Sequence, residues 1–130
     1  MEPKSQKAME DVILEDGRYP LEAFSFLHEG LNKAVQEVHG EQAASVGRHV
    51  TGRDICHSIK ALAEERWGMM AKTVLHKWNI HATIDFGKMV YLLIDHGFMR
   101  KTDEDSIEDF RDVYDFSTAF ASHDQFDLKD

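Results

Sequence analysis

The stretch 67–102, WGMMAKTVLHKWNIHATIDFGKMVYLLIDHGFMRKT, decides how this chain folds. From Ile84 to Asp95 it is apolar on nearly every side: Phe86, Met89, Val90, Tyr91, Leu92, Leu93 and Ile94 are interrupted only by Asp85, Lys88 and Asp95. A surface helix keeps one face polar, so this pattern predicts a central helix that other elements must cover. Thr83 is placed to cap it, and Gly97 to end it in a left-handed residue with Phe98 closing back on Leu93. Upstream, the spacing predicts a helix from Met69 to Trp78 that buries Met70, Ala71, Val74, Leu75 and Trp78 and turns Lys72, His76 and Lys77 outward. Asn79 suits the left-handed residue that follows it.

Working outward, Thr51 and Asp54 resemble a capping box for a helix from Gly52 to Arg66. That helix is expected to bury Ile55, Cys56, Ile59, Leu62 and Ala63 and to present Arg53, His57, Lys60 and Glu64 together on its other side. Before it, Tyr19-Pro20 opens a helix with a seam of Phe24, Leu27, Leu31, Ala34 and Val38, widened by Leu21 and Val35 and ended by Gly40. Residues 1–17 read as a tail and a short helix capped by Ser5, residues 41–50 as a linker, and residues 121–130 as a C-terminal tail, with Phe120 and Phe126 as anchors. Past Gly97 the period changes. A β-hairpin over 98–116 is the first expectation, while Phe110, Val113, Tyr114 and Ser117 also fit a helical stripe.

The fold class is therefore mainly α, a compact helical domain over 18–120 around a buried central helix, with a C-terminal hairpin in a winged-helix-like arrangement. The 130 residues suit one domain. No apolar run approaches a membrane span and no signal segment is evident, so no membrane partner is expected. Cys56 is the sole cysteine, which excludes an internal disulfide and favours a reducing cytoplasm. The net charge of −9 speaks against indiscriminate DNA coating. The charge falls in blocks: −5 over residues 1–47, +3 over 48–81 and −7 over 82–130. Either the acidic arms fold against the basic middle, or part of that middle is left free for an anion.

Chemistry is thinly signalled. Asp85-Phe86-Gly87 with Gly52-Arg53-Asp54 hints at a protein kinase, but the chain is too short and carries no glycine-rich loop. Asp85 instead fits the first turn of a helix. The eight histidines include no H-E-x-x-H, and Cys56 and His57 point about 100° apart on a helix. The acidic run 103–109 lacks the glycine and ligand alternation of a calcium loop. No nucleophile stands beside a base, and neither a Walker A nor a Rossmann pattern occurs, so no cofactor or metal is expected and an enzyme is the least supported class.

The runs RYPLEAFSFLHEGL, HVTGRDICHSIKALA and GMMAKTVLHKWNIHATIDFGKMVYLLIDHGFMRKTDEDSIEDFRDVYDFSTAF resemble a small uncharacterised family restricted mainly to Planctomycetes and Verrucomicrobia. The likeness spans about residues 18–120; Asn79 stands where that family usually has glycine. It implies an intracellular bacterial protein and no chemistry.

Two candidate faces remain. Arg53, His57, Lys60, Lys72, His76 and Lys77 would form an anion or nucleic-acid face if they point the same way. Lys88, Tyr91 and Leu92 would form a protein interface if the central helix is not wholly covered. In a winged-helix layout that helix would take the recognition position, yet it offers Lys88 alone to base edges. The expected function is thus a non-catalytic protein-interaction module with an unidentified protein partner or a second copy; the alternative is a winged-helix-like nucleic-acid-binding or regulatory protein.

Overall fold

The computed structural model describes residues 6–40 and 50–120. It is built from α1 (Gln6–Asp16), α2 (Leu21–His39), α3 (Gly52–Trp67), α4 (Ala71–Lys77), α5 (Thr83–Asp95) and α6 (Phe116–Ala119), with 3-10 turns at Gly68–Met70 and Ile107–Phe110. Ser5, the linker 41–49 and Phe126 lie outside the described residues.

The local signals account for most boundaries. Thr51 and Asp54 cap α3 reciprocally, each side chain accepting from the other's backbone N–H at 3.1 and 3.0 Å. Gly17, Gly40, Gly68 and Gly97 all adopt positive φ just past a helix, and Asn79 does the same at φ 68°. Phe98 N–H donates to Leu93 O at 2.8 Å, the bond that closes α5. Thr83 is a different matter. It is the first residue inside α5, with Ala82 as the cap, and its hydroxyl reaches away from the helix. Thr83 Oγ1 donates to Phe110 O at 2.5 Å and accepts from Val113 N–H at 3.1 Å. The α5 start is satisfied instead by Asp85, whose Oδ2 accepts from His81 and Ala82 N–H at 2.8 and 3.1 Å. Tyr19 Oη donates to Asp85 Oδ1 at 2.6 Å, so the carboxylate is fully used in structure.

The core is centred on α5 as its composition demands, with Phe86 and Met89 each 1% exposed. Ile55, Cys56 and Ile59 of α3, Leu27 of α2, and Leu75 and Ile80 around the α4–α5 turn complete it. Phe26, Trp67 and Trp78 form an aromatic triad at one end, with centroids 4.8–5.8 Å apart. Met70, expected inside, is exposed, because Gly68 starts a 3-10 turn that carries it to the surface.

The expected hairpin over 98–116 is not present: no strand occurs among the described residues. The segment is a strap of turns. Asp105, Asp109 and Asp115 each take up nearby backbone N–H groups, which locks the polar run into tight turns instead of leaving those groups free for a ladder. Phe110, Phe116 and Phe120 are buried and pin the strap to the helices. Phe110 is held between two glycines: a Cβ on either Gly52 or Gly87 would lie within 3.0 Å of its ring. Without a hairpin there is no wing, and the winged-helix arrangement loses its defining element.

Candidate functional site

A groove of about 1370 Å³ opens between α2 and α5, with Met9, Glu10 and Ile13 of α1 also in its lining. Its floor is Leu27, Ile55, Val90 and Phe110, all buried. Its rims are half-buried Leu31 and Val35 on α2, facing Tyr91 and Ile94 on α5 and Met99 beyond it. The origin of the groove is visible in α2. Its buried residues Ala23, Phe26, Gly30 and Ala34 form one face, and at Gly30 the missing side chain lets Ile59 of α3 approach: a Cβ there would sit 2.6 Å from Ile59 Cγ1. The predicted seam runs round from that face. Leu31, with Val35 beside it, belongs to the groove, and Val38 at its end is 47% exposed.

The strap adds polar residues to the lining. Asp105, Ser106 and Asp109 of the strap line the groove, and so do Arg100 and Lys101, which adjoin Asp105 through Thr102: Thr102 N–H donates to Asp105 Oδ2 at 2.9 Å. Residues 103–112 carry six carboxylates and one cation, Arg111, which is paired to Glu108 at 2.6 Å, and Arg53 of α3 lies beside four of them. Tyr91 lines the groove with a hydroxyl that is shielded from water and has no hydrogen-bond partner among the described residues. Burial raises its pKa, and Asp105, Asp109 and Asp95 add to the effect.

Of the predicted interface residues, Lys88 and Tyr91 are half-buried and Leu92 is covered, 9% exposed. Lys88 Nζ stands 3.8 Å from Asp85 Oδ1. Only Tyr91 reaches the groove. Sequence reasoning missed Leu31, Val35 and Met99 as partners of Tyr91, because helix periodicity does not report which two helices leave a gap between them.

The residues of the predicted basic face have neighbours in the strap. Arg53, His57, His76 and Lys77 are exposed and Lys60 and Lys72 half-buried, and the strap reaches three of them. Arg53 lies in a smaller hollow with Glu104, Asp105, Glu108 and Asp109. Tyr114 packs on the His57 ring at 5.7 Å and donates to Cys56 O at 2.7 Å; Phe116 stacks on His76 at 6.4 Å. Lys60 is paired to Glu64 at 3.2 Å. His76 also meets His81, their rings 4.6 Å apart, and burial, His81 and Lys72 all lower its pKa. The Cys56 thiol is wholly buried and pushed up to about 12, so it is no nucleophile. Among the described residues no group of three or more acidic, histidine or cysteine side chains is placed to hold a metal, and no helix is long and apolar enough to cross a membrane.

No family model, curated protein or solved structure matches the chain.

Proposed function

We propose that this protein is a non-catalytic interaction module whose groove receives a helical segment of another protein. One observation carries the reading: α2 offers a second apolar edge, Leu31 and Val35, that α3 does not use, opposite Tyr91, Ile94 and Met99. At about 1370 Å³ the groove is larger than the roughly 300–1,000 Å³ usual for small-molecule pockets and suits an amphipathic helix laid between two others. A second copy of the chain is the poorer occupant, since each copy carries −9 and the strap beside the groove is acidic. The cytoplasm is the setting we propose, where a lone buried cysteine stays a thiol.

The test is nuclear magnetic resonance mapping of a neutral, 14-residue amphipathic Leu/Gln helical peptide on wild type and on Val35→Asn, with sedimentation of the wild type alone. Shifts confined to Leu31, Val35, Tyr91 and Met99, weakened about tenfold in affinity by the substitution, are expected from a monomer. Binding that is indifferent to Val35→Asn, or a tight wild-type dimer, would refute the proposal.

A further inference from the structure

His76 and His81 meet where the chain turns from α4 into α5, and we propose that the pair chelates a divalent transition-metal ion, Cu²⁺ more tightly than Zn²⁺. The two ring centroids are 4.6 Å apart. Imidazoles on neighbouring positions of one metal, with bonds of about 2.0–2.1 Å, place their centroids about 4.5–5 Å apart. Neutral imidazole suits both ions, and nitrogen ligands hold Cu²⁺ above Zn²⁺. No third such ligand joins the pair among the described residues, so water fills the remaining positions and the ion exchanges. Both histidines are exposed, which gives the ion access.

The turn holds the pair in place. Asn79, left-handed at φ 68°, donates its N–H to His76 O at 2.9 Å, and Ile80 N–H donates to Leu75 O at 2.9 Å. Leu75 and Ile80 are buried and anchor this reversal. His81 is fixed by its own N–H, which donates to Asp85 Oδ2 at 2.8 Å. The side chain of Asn79 then sets the His81 tautomer. Its Nδ2 donates to Arg18 O at 3.1 Å, which leaves Oδ1, 3.2 Å from His81 Nε2, to accept. His81 Nε2 therefore carries the proton and Nδ1 keeps the lone pair that a metal needs. An acceptor on the far ring nitrogen is the usual companion of a metal-binding histidine. On His76, burial, His81 and Lys72 lower the pKa, which favours the neutral ring. Lys72 also acts on Asp115 of the strap, which offsets its charge. Phe116 stacks on the His76 ring and offers its nitrogens nothing to bond.

Titration with CuCl₂, ZnCl₂ and MgCl₂, followed by calorimetry and nuclear magnetic resonance, tests the wild type against His76→Gln, His81→Gln and Asn79→Gly. One equivalent of Cu²⁺ should bind, more tightly than Zn²⁺ and with no response to Mg²⁺. Its paramagnetic broadening should centre on His76 and His81. Glycine keeps the left-handed turn but removes the acceptor from His81, so Asn79→Gly should weaken Cu²⁺ about tenfold. Each glutamine variant should weaken it further, since it removes a ligand outright. Cu²⁺ binding unchanged by either glutamine variant, broadening centred on His57 or His96, or no uptake at all would overturn the proposal. Binding lost in the glutamine variants but untouched by Asn79→Gly would support the chelate and overturn the role of Asn79.

Discussion

Gly30→Ala is the sharpest probe of the packing that creates the groove, because two effects of opposite sign compete at one atom. In an open helix the substitution stabilises by about 1 kcal/mol, since alanine restricts the unfolded chain and favours the helix. Here the added methyl would sit 2.6 Å from Ile59 Cγ1 and 3.8 Å from Ile59 Cα. Carbon atoms in contact keep about 3.5–4.0 Å, so α2 and α3 must separate by about 1 Å or Ile59 must leave its rotamer. Ile59 is 0% exposed and has no room to move. The preceding residue, Ser58, donates to Gly30 O at 2.9 Å, a bond that any separation would stretch. Overpacking of this kind costs about 1–3 kcal/mol. The clash should win, for a net loss of about 1 kcal/mol and a fall in Tm of about 4 °C. Urea and thermal unfolding of Gly30→Ala, Ile59→Ala and the double variant would measure it. Ile59→Ala alone should cost about 2–5 kcal/mol, and the double variant at least 1 kcal/mol less than the sum. A Gly30→Ala protein more stable than wild type would refute the close approach of α2 to α3.

Three further outcomes are expected. Thr83→Val removes the hydroxyl that joins α5 to the strap and should cost about 2 kcal/mol, with amide exchange accelerating at Val113; a stability unchanged within 0.5 kcal/mol would mean the two bonds do not matter. Tyr91→Phe deletes an unpartnered hydroxyl and should stabilise by about 1 kcal/mol, read as a higher urea midpoint, whereas any loss would show that the group has a partner. For His76 the folded pKa lies below the ordinary 6.5, so the unfolded chain takes up a proton that the folded one resists. Its contribution is full above that value and is lost as pH falls, so the urea midpoint should drop between pH 7.5 and 5.5 more in wild type than in His76→Gln; parallel profiles would sink this.

The central helix could be read from the sequence because its apolar residues leave no polar face, and that pattern has few other solutions. Capping residues such as Thr51 and the positive-φ positions Gly17, Asn79 and Gly97 were equally legible, since their chemistry acts within a few residues. The strap was not. Phe110, Asp112, Tyr114 and Phe116 alternate as a strand would, but alternation is also what results when turns bury every second aromatic. What decides between them is the set of Asp side chains bonding their own backbone, together with Thr83, which lies 27 residues from Phe110. Local rules assigned Thr83 to a cap, and the long-range bond took it instead. The neighbours of the basic residues were hidden for the same reason: Arg53 and His57 do share a side of α3, but the sequence could not show that Tyr114 of the strap packs on His57.

The seating of Phe110 between Gly52 and Gly87 bears on how the chain acquires its structure during synthesis. The slot is made by residues that leave the ribosome early, and the ring that fills it comes last, after a closure of 58 positions to Gly52. Until then α3 and α5 face each other across an unfilled gap, with buried surface of Ile55, Phe86 and Val90 not yet sealed. Vectorial folding of this domain therefore cannot finish helix by helix. It needs Phe110, Phe116 and Phe120, all buried, to be in place before the core is sealed.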